Sequence, residues 1–103
     1  MITCKFFKEN GFFEKFLITG HSMYAQKGKD IVCAAVSVVA QHTARYLLKN
    51  GASVKIKDGY LDVKNISHDN ISQIFVNELI DTLKDLEEQY PKYLKLEVSN
   101  DEN

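Results

Sequence analysis

The stretch GHSMYAQKGKDIVCAAVS, from Gly20 to Ser37, delivers an imidazole at His21, a carboxylate at Asp30 and a thiol at Cys33. A thiol and an imidazole brought together from separate elements are the parts of nucleophilic catalysis on a carbonyl. If a helix begins near Asp30, Cys33 falls in its first turn, where unpaired amides and the positive end of the helix dipole favour a thiolate. The amides of Cys33 and Ala34 are then candidates to stabilise an oxyanion. His21, just after Gly20 at the end of an apolar run, can serve as general base and then as acid for a leaving amine. The polar segment between them, Ser22 to Lys29 with Gly28 as its bend, has the composition of a cover over bound substrate.

Each residue also has a plain structural reading. A lone cysteine in an apolar helix is commonly a small buried hydrophobe, a lone histidine at a strand end is commonly a turn residue, and aspartate at a helix start is a good cap. Ser37, one turn below Cys33, can bond a carbonyl of the preceding turn or anchor the loop. Metal is a poor alternative, because the remaining candidates, Cys4 and His42, lie in a strand and about two and a half turns down the helix. Neither a metal nor a cofactor is expected. Cys4, His42 and His68 read as strand core, helix surface or interface, and helix entry.

The elements that must hold these groups follow from periodicity. Residues 2–8 and 12–19 are strand-like around Glu9-Asn10-Gly11; a three-residue loop there would set Ile2 opposite Ile18, Cys4 opposite Phe16 and Phe7 opposite Phe13. A two-residue Asn10-Gly11 loop would set Phe6 against Lys15 and is less attractive. Asp58-Gly59 predicts a type I′ hairpin with Ile56 opposite Leu61, Val54 opposite Val63 and Lys55 opposite Asp62, one face core and one solvated. A last strand spans 93–98. A helix from about Asp30 to Asn50, closed by Gly51, is apolar nearly all round in its first three turns and must be covered on more than one side. A second, amphipathic helix starts near 67–70, carries Ile71, Ile74, Phe75, Leu79, Ile80, Leu83 and Leu86, and stops before Pro91. The order strand-strand-helix-strand-strand-helix-strand gives an α+β fold of antiparallel hairpins packed with two helices.

The chain of 103 residues suits a single domain spanning 1–103, with no repeat or linker. A net charge of −1 gives no global basic field, so no direct nucleic-acid contact is expected, and Lys27, Lys29, Lys55 and Lys57 read as solvated surface. No uninterrupted apolar run of about 18 residues is present, so no membrane partner is expected. MITCKFFKEN lacks the pattern of a secretory signal, which makes the cytoplasm the expected location and free thiols more natural than a disulfide.

The run GHSMYAQKGKDIVCAAVS, with the apolar helix, hairpin and helix after it, resembles the ribosomal-processing cysteine proteases known as Prp, or the YsxB-like family. The family pattern is Gly-His-Ala, a variable loop, then Gly-x-Asp-Ile-Val-Cys-Ala-Ala-Val-Ser; this chain departs from it at Ser22, where alanine is expected. The resemblance implies a cytosolic endopeptidase with a Cys-His dyad that removes the N-terminal extension of the twenty-seventh protein of the large ribosomal subunit, cutting after a Phe-Phe pair, as ribosome maturation requires. Carried over by position, Cys33 is the nucleophile and His21 the base, with Asp30 and Ser37 in support. The resemblance also implies a homodimer, which would help cover the apolar helix. Two aromatic rings of a substrate need an apolar trough, for which Met23 and Tyr24 are candidate walls. The rival reading is a noncatalytic ribosome-associated adaptor that binds a peptide without cutting it. Faster alkylation of Cys33 than of Cys4 would favour the protease, and equal rates the adaptor.

Overall fold

Apolar residues at every second position of five segments build five strands, and two runs at helical spacing build two helices. The computed structural model describes residues 1–26 and 30–100. In chain order these are β1 (Ile2–Glu9), β2 (Phe12–Gly20), α1 (Ile31–Lys49), β3 (Ser53–Lys57), β4 (Tyr60–Lys64), α2 (Asn70–Gln89) and β5 (Leu94–Asn100). The α+β order expected from the sequence is the order found. One sheet runs β3-β4-β2-β1-β5, antiparallel except that β5 lies parallel to β1.

Ile2, Cys4 and Phe6 of β1, Phe16 and Ile18 of β2, Leu61 and Val63 of β4 and Leu94 of β5 share one buried cluster with residues of both helices. Both helices therefore lie on the same face of the sheet. Fully buried leucines such as Leu47, Leu79 and Leu83 each contribute on the order of 2 kcal/mol by leaving water.

The first hairpin differs from its expected register. The turn is the two-residue Asn10-Gly11 loop, with φ of +53° and +84°. Cys4 pairs with Ile18 and not Phe16, Ile2 with Gly20 and not Ile18, and Phe7 with Lys15 and not Phe13. A bulge between Phe7 and Lys8 shifts the ladder, leaving Glu14 as the extra residue and setting Phe6 against Phe16, not Lys15. Neighbouring chain satisfies the irregular backbone. Gln73 accepts from the Phe13 N–H at 2.8 Å and donates to the Phe13 and Ser67 carbonyls, while the Ile66 N–H donates to the Glu14 carbonyl.

The second hairpin has the expected register throughout. Its turn is not type I′, however, since Gly59 has a positive φ (+66°) and Asp58 does not; a positive φ at the second turn position alone marks a type II turn. Ile56, expected on the core face, lies exposed on β3, an edge strand of the sheet.

Helix α1 buries Val32, Val36, Ala40, Thr43, Ala44 and Leu47. Its length and apolarity would suffice to cross a bilayer, yet that stripe packs against the sheet and α2. Ile31, Val38 and Leu48 stay exposed, so the chain alone does not supply the all-round cover its composition calls for. Helix α2, capped by Asp69, turns Ser72, Val76, Leu79, Ile80 and Leu83 inward, and leaves Ile71 and Ile74 exposed on its flanks. The last strand begins at Leu94, and Glu87 of α2 accepts from the Leu96 N–H at 2.7 Å, covering a donor on this second sheet edge.

Candidate active site

Strand β2 ends at Gly20, whose φ is +94° and whose missing side chain is required, because a Cβ there would stand 2.3 Å from the Met1 carbonyl oxygen. That turn out of the sheet delivers His21. Its imidazole, about half exposed, sets Nε2 4.0 Å from the Asp58 carboxylate. His21 and Cys33 line the same two cavities. One, of about 180 Å³, runs between α1 and the β3–β4 hairpin over Ile2, Ile18, Val36, Ala40, Ile56 and Leu61. The other opens over the α1 start between Met23, Ala25, Asp30, Ala34 and Asp58. Ser37 borders both.

Asp30 is the N-cap of α1. One carboxylate oxygen accepts from the Val32 and Cys33 amides at 3.0 Å, and the other accepts from the Ser22 hydroxyl and the Tyr24 N–H. Burial would raise the carboxyl's pKa, but hydrogen bonds from the Ser22 hydroxyl and from the Cys33 and Tyr24 amides outweigh it and hold the pKa at about 2. Asp30 is thus an acceptor that ties the start of the loop to the start of the helix.

Two expected roles change on this geometry. The Cys33 and Ala34 amides, expected to be available to an oxyanion, are engaged: Cys33 N–H donates to the Asp30 side chain and Ala34 N–H to the Asp30 carbonyl. The cap satisfies the donors the helix start would otherwise leave open. Ser22, expected as a substrate-loop residue, is buried at 1 % exposure. Its N–H donates to Cys33 Sγ at 3.2 Å, and its hydroxyl oxygen accepts from the thiol at 3.4 Å. The hydroxyl by which this chain departs from the Gly-His-Ala pattern therefore bridges Cys33 and Asp30.

Met23 does border the cavity over the helix start, at φ +60°. Tyr24 does not; its ring stands edge-on to Tyr90 and Tyr93, fixing the loop to the far end of α2. Ser37 accepts from the Gln41 side chain at 2.8 Å, not from the loop residues described. Gly28 lies outside the described residues. Among the described residues no three His, Cys, Asp or Glu side chains gather as a metal-ligand set. Asp58 and Gly59 are site residues that the sequence reading took only as turn punctuation.

The depressed Asp30 pKa carries a pH signature. A carboxyl whose folded pKa lies below its unfolded value near 3.8 stabilises the fold fully above that value, and the contribution fades as pH falls toward about 2. Asp30→Asn keeps an acceptor for the helix amides but loses the acceptor for Ser22 and Tyr24. It should lower stability by on the order of 1 kcal/mol at pH 7, a gap that closes between pH 4 and 2 in denaturant titrations.

Comparison with known proteins bears on this arrangement. The family model described as cysteine protease Prp matches residues 1–95. Comparison with curated proteins gives no match. Among solved structures, the essential ribosomal processing protease Prp of S. aureus with a covalently linked product peptide superposes with a TM-score of 0.87 at 22 % identity, covering 96 % of this chain and all of that one. The same S. aureus protease with a substrate peptide gives 0.81 at 21 %, again over 96 % of this chain and all of that one. A Streptococcus mutans protein gives 0.80 at 24 %, over 97 % of this chain and 95 % of its own. At these identities the superpositions establish the shared fold, and the family match, spanning nearly the whole sequence, establishes that this chain belongs to the Prp family of cysteine proteases.

Proposed function

We propose that this protein, one Prp-type domain over residues 1–103, is a cytoplasmic endopeptidase in which Cys33 is the nucleophile and His21 the general base. Its substrate on this reading is the N-terminal extension of the twenty-seventh large-subunit ribosomal protein, cut after a Phe-Phe pair. The observation that carries the reading is that a half-buried thiol at a helix start and an imidazole from a strand end open onto the same two cavities. The S. aureus protease structures, one with a substrate peptide and one with a covalently linked product peptide, support a peptide substrate here.

His21 takes the thiol proton, and Sγ attacks the scissile carbonyl carbon as the carbonyl π pair moves to oxygen. When the tetrahedral intermediate collapses, the imidazolium gives its proton to the amine nitrogen as the C–N bond breaks, leaving a thioester on Cys33. A water that His21 deprotonates then attacks the thioester, releasing the new carboxyl terminus and the thiol. The Asp58 carboxylate stands beside the imidazole, 4.0 Å from Nε2. The apolar cavity between α1 and the β3–β4 hairpin suits an aromatic side chain beside the cut bond. A second copy of the chain is the cover the reading assigns to the exposed Ile31, Val38 and Leu48 of α1.

The test is mass spectrometry on a peptide with a Phe-Phe-Ala junction taken from the organism's own ribosomal protein. A single cut after the second Phe is expected. An intact peptide, with folded dimeric protein, would overturn the reading in favour of a peptide-binding adaptor.

A further inference from the structure

Gly59 stands against the base. A Cβ at Gly59 would lie 2.6 Å from His21 Nε2, 3.1 Å from Cε1 and 3.2 Å from Cδ2, all well inside van der Waals contact. The Gly59 carbonyl also accepts from the Gly20 N–H at 2.9 Å, so one residue of the β3–β4 turn fixes the backbone just before His21 and bounds its ring. Among the described residues no other glycine meets a side chain in this way: a Cβ at Gly20 would meet Met1 and Ile2 backbone, and at Gly11 and Gly51 nothing lies within 4 Å.

We propose that Gly59 is a positioning residue for the His21 base, its missing side chain defining where the imidazole stands at the mouth of the two cavities shared with Cys33. The inference rests on the reading of His21 as general base. The ring is about half exposed, so a methyl group at 59 moves the ring outward and leaves the turn in place. The cost in stability is then the ordinary one of a positive φ. The cost in rate is large, because a base displaced by about 1 Å loses on the order of a hundredfold.

Gly59→Ala and Gly11→Ala separate the two effects. Gly11 has φ +84° with open space around it and sits at the other end of β2, so its alanine variant carries the backbone cost without the ring. Both variants should unfold earlier than the parent. Gly59→Ala alone should lower kcat about 10- to 100-fold with KM within about twofold, and alone should move the His21 ring resonances in a ¹H–¹³C spectrum. An unchanged kcat, unmoved His21 resonances, or an equal kcat loss in Gly11→Ala would each overturn the proposal. If the parent protein cuts no peptide, the protease reading fails separately, and the ring resonances alone decide whether Gly59 places the imidazole.

Discussion

Replacing Cys33 with alanine should abolish peptide cleavage, by at least about 10⁴-fold in kcat, while leaving the fold intact. The fold survives because little rests on the sulfur. Cys33 is half-buried at the edge of the core cluster, its sulfur bonds the Ser22 amide and hydroxyl, and alanine favours a helix more than cysteine does. The Asp30 cap uses the Cys33 main-chain amide, which alanine retains. Thermal stability should therefore change by less than about 1 kcal/mol, and any rate loss is chemical in origin. His21→Ala should cost about 10²- to 10⁴-fold, and the double variant no more than Cys33→Ala, because a base without a nucleophile has nothing to activate. Single-turnover mass spectrometry with the Phe-Phe-Ala peptide measures all three. Residual cleavage within tenfold of the parent in Cys33→Ala would remove the thiol from the chemistry.

The site was partly legible in the sequence because local rules fix part of it. Asp30 before an apolar helical run is a cap signal, and a cap at 30 puts Cys33 at the third helical position without reference to the rest of the chain. The same rule bears on the oxyanion: an N-cap side chain takes the amides two and three residues on, so Cys33's amide is committed to Asp30. Ser22 was not legible as a buried residue, because its neighbours read as polar loop and its partners are eleven and eight positions away. Gly59 was legible only as a turn; that it lies under His21 follows from β2 pairing with β4, a contact across some forty residues.

In the fold, the second hairpin was readable from alternation and an Asp-Gly turn, since nothing interrupts its ladder. In the first, matching apolar residues across a longer loop points to the wrong register. The molecule uses the short Asn10-Gly11 loop and recovers apolar pairing through a bulge at Glu14, whose backbone is satisfied by Gln73 and Ile66 from distant segments. Likewise the parallel docking of β5 on β1 is set by where α2 returns the chain, which periodicity within β5 does not encode.

Cys4 should resist alkylation in the native protein, reacting at least about 10³-fold more slowly than Cys33 at pH 7, and the two should react alike in strong denaturant. Cys4 is fully buried in β1. Burial, with the Glu87 carboxylate adding to it, pushes its pKa up to about 12, leaving a thiolate fraction on the order of 10⁻⁵ at neutral pH. Iodoacetamide labelling followed by mass spectrometry of the digest reads both sites at once. Burial makes the contrast between the two cysteines hold whether or not the protein is an enzyme, so faster labelling of Cys33 is not by itself a mark of catalysis. The diagnostic is the His21→Ala variant. If His21 withdraws the Cys33 proton, its removal should slow Cys33 labelling about tenfold or more at pH 7 and leave Cys4 unreactive. If Cys33 is only helix packing beside a peptide groove, its labelling rate should be indifferent to His21, because the imidazole would then change neither its access nor its ionisation.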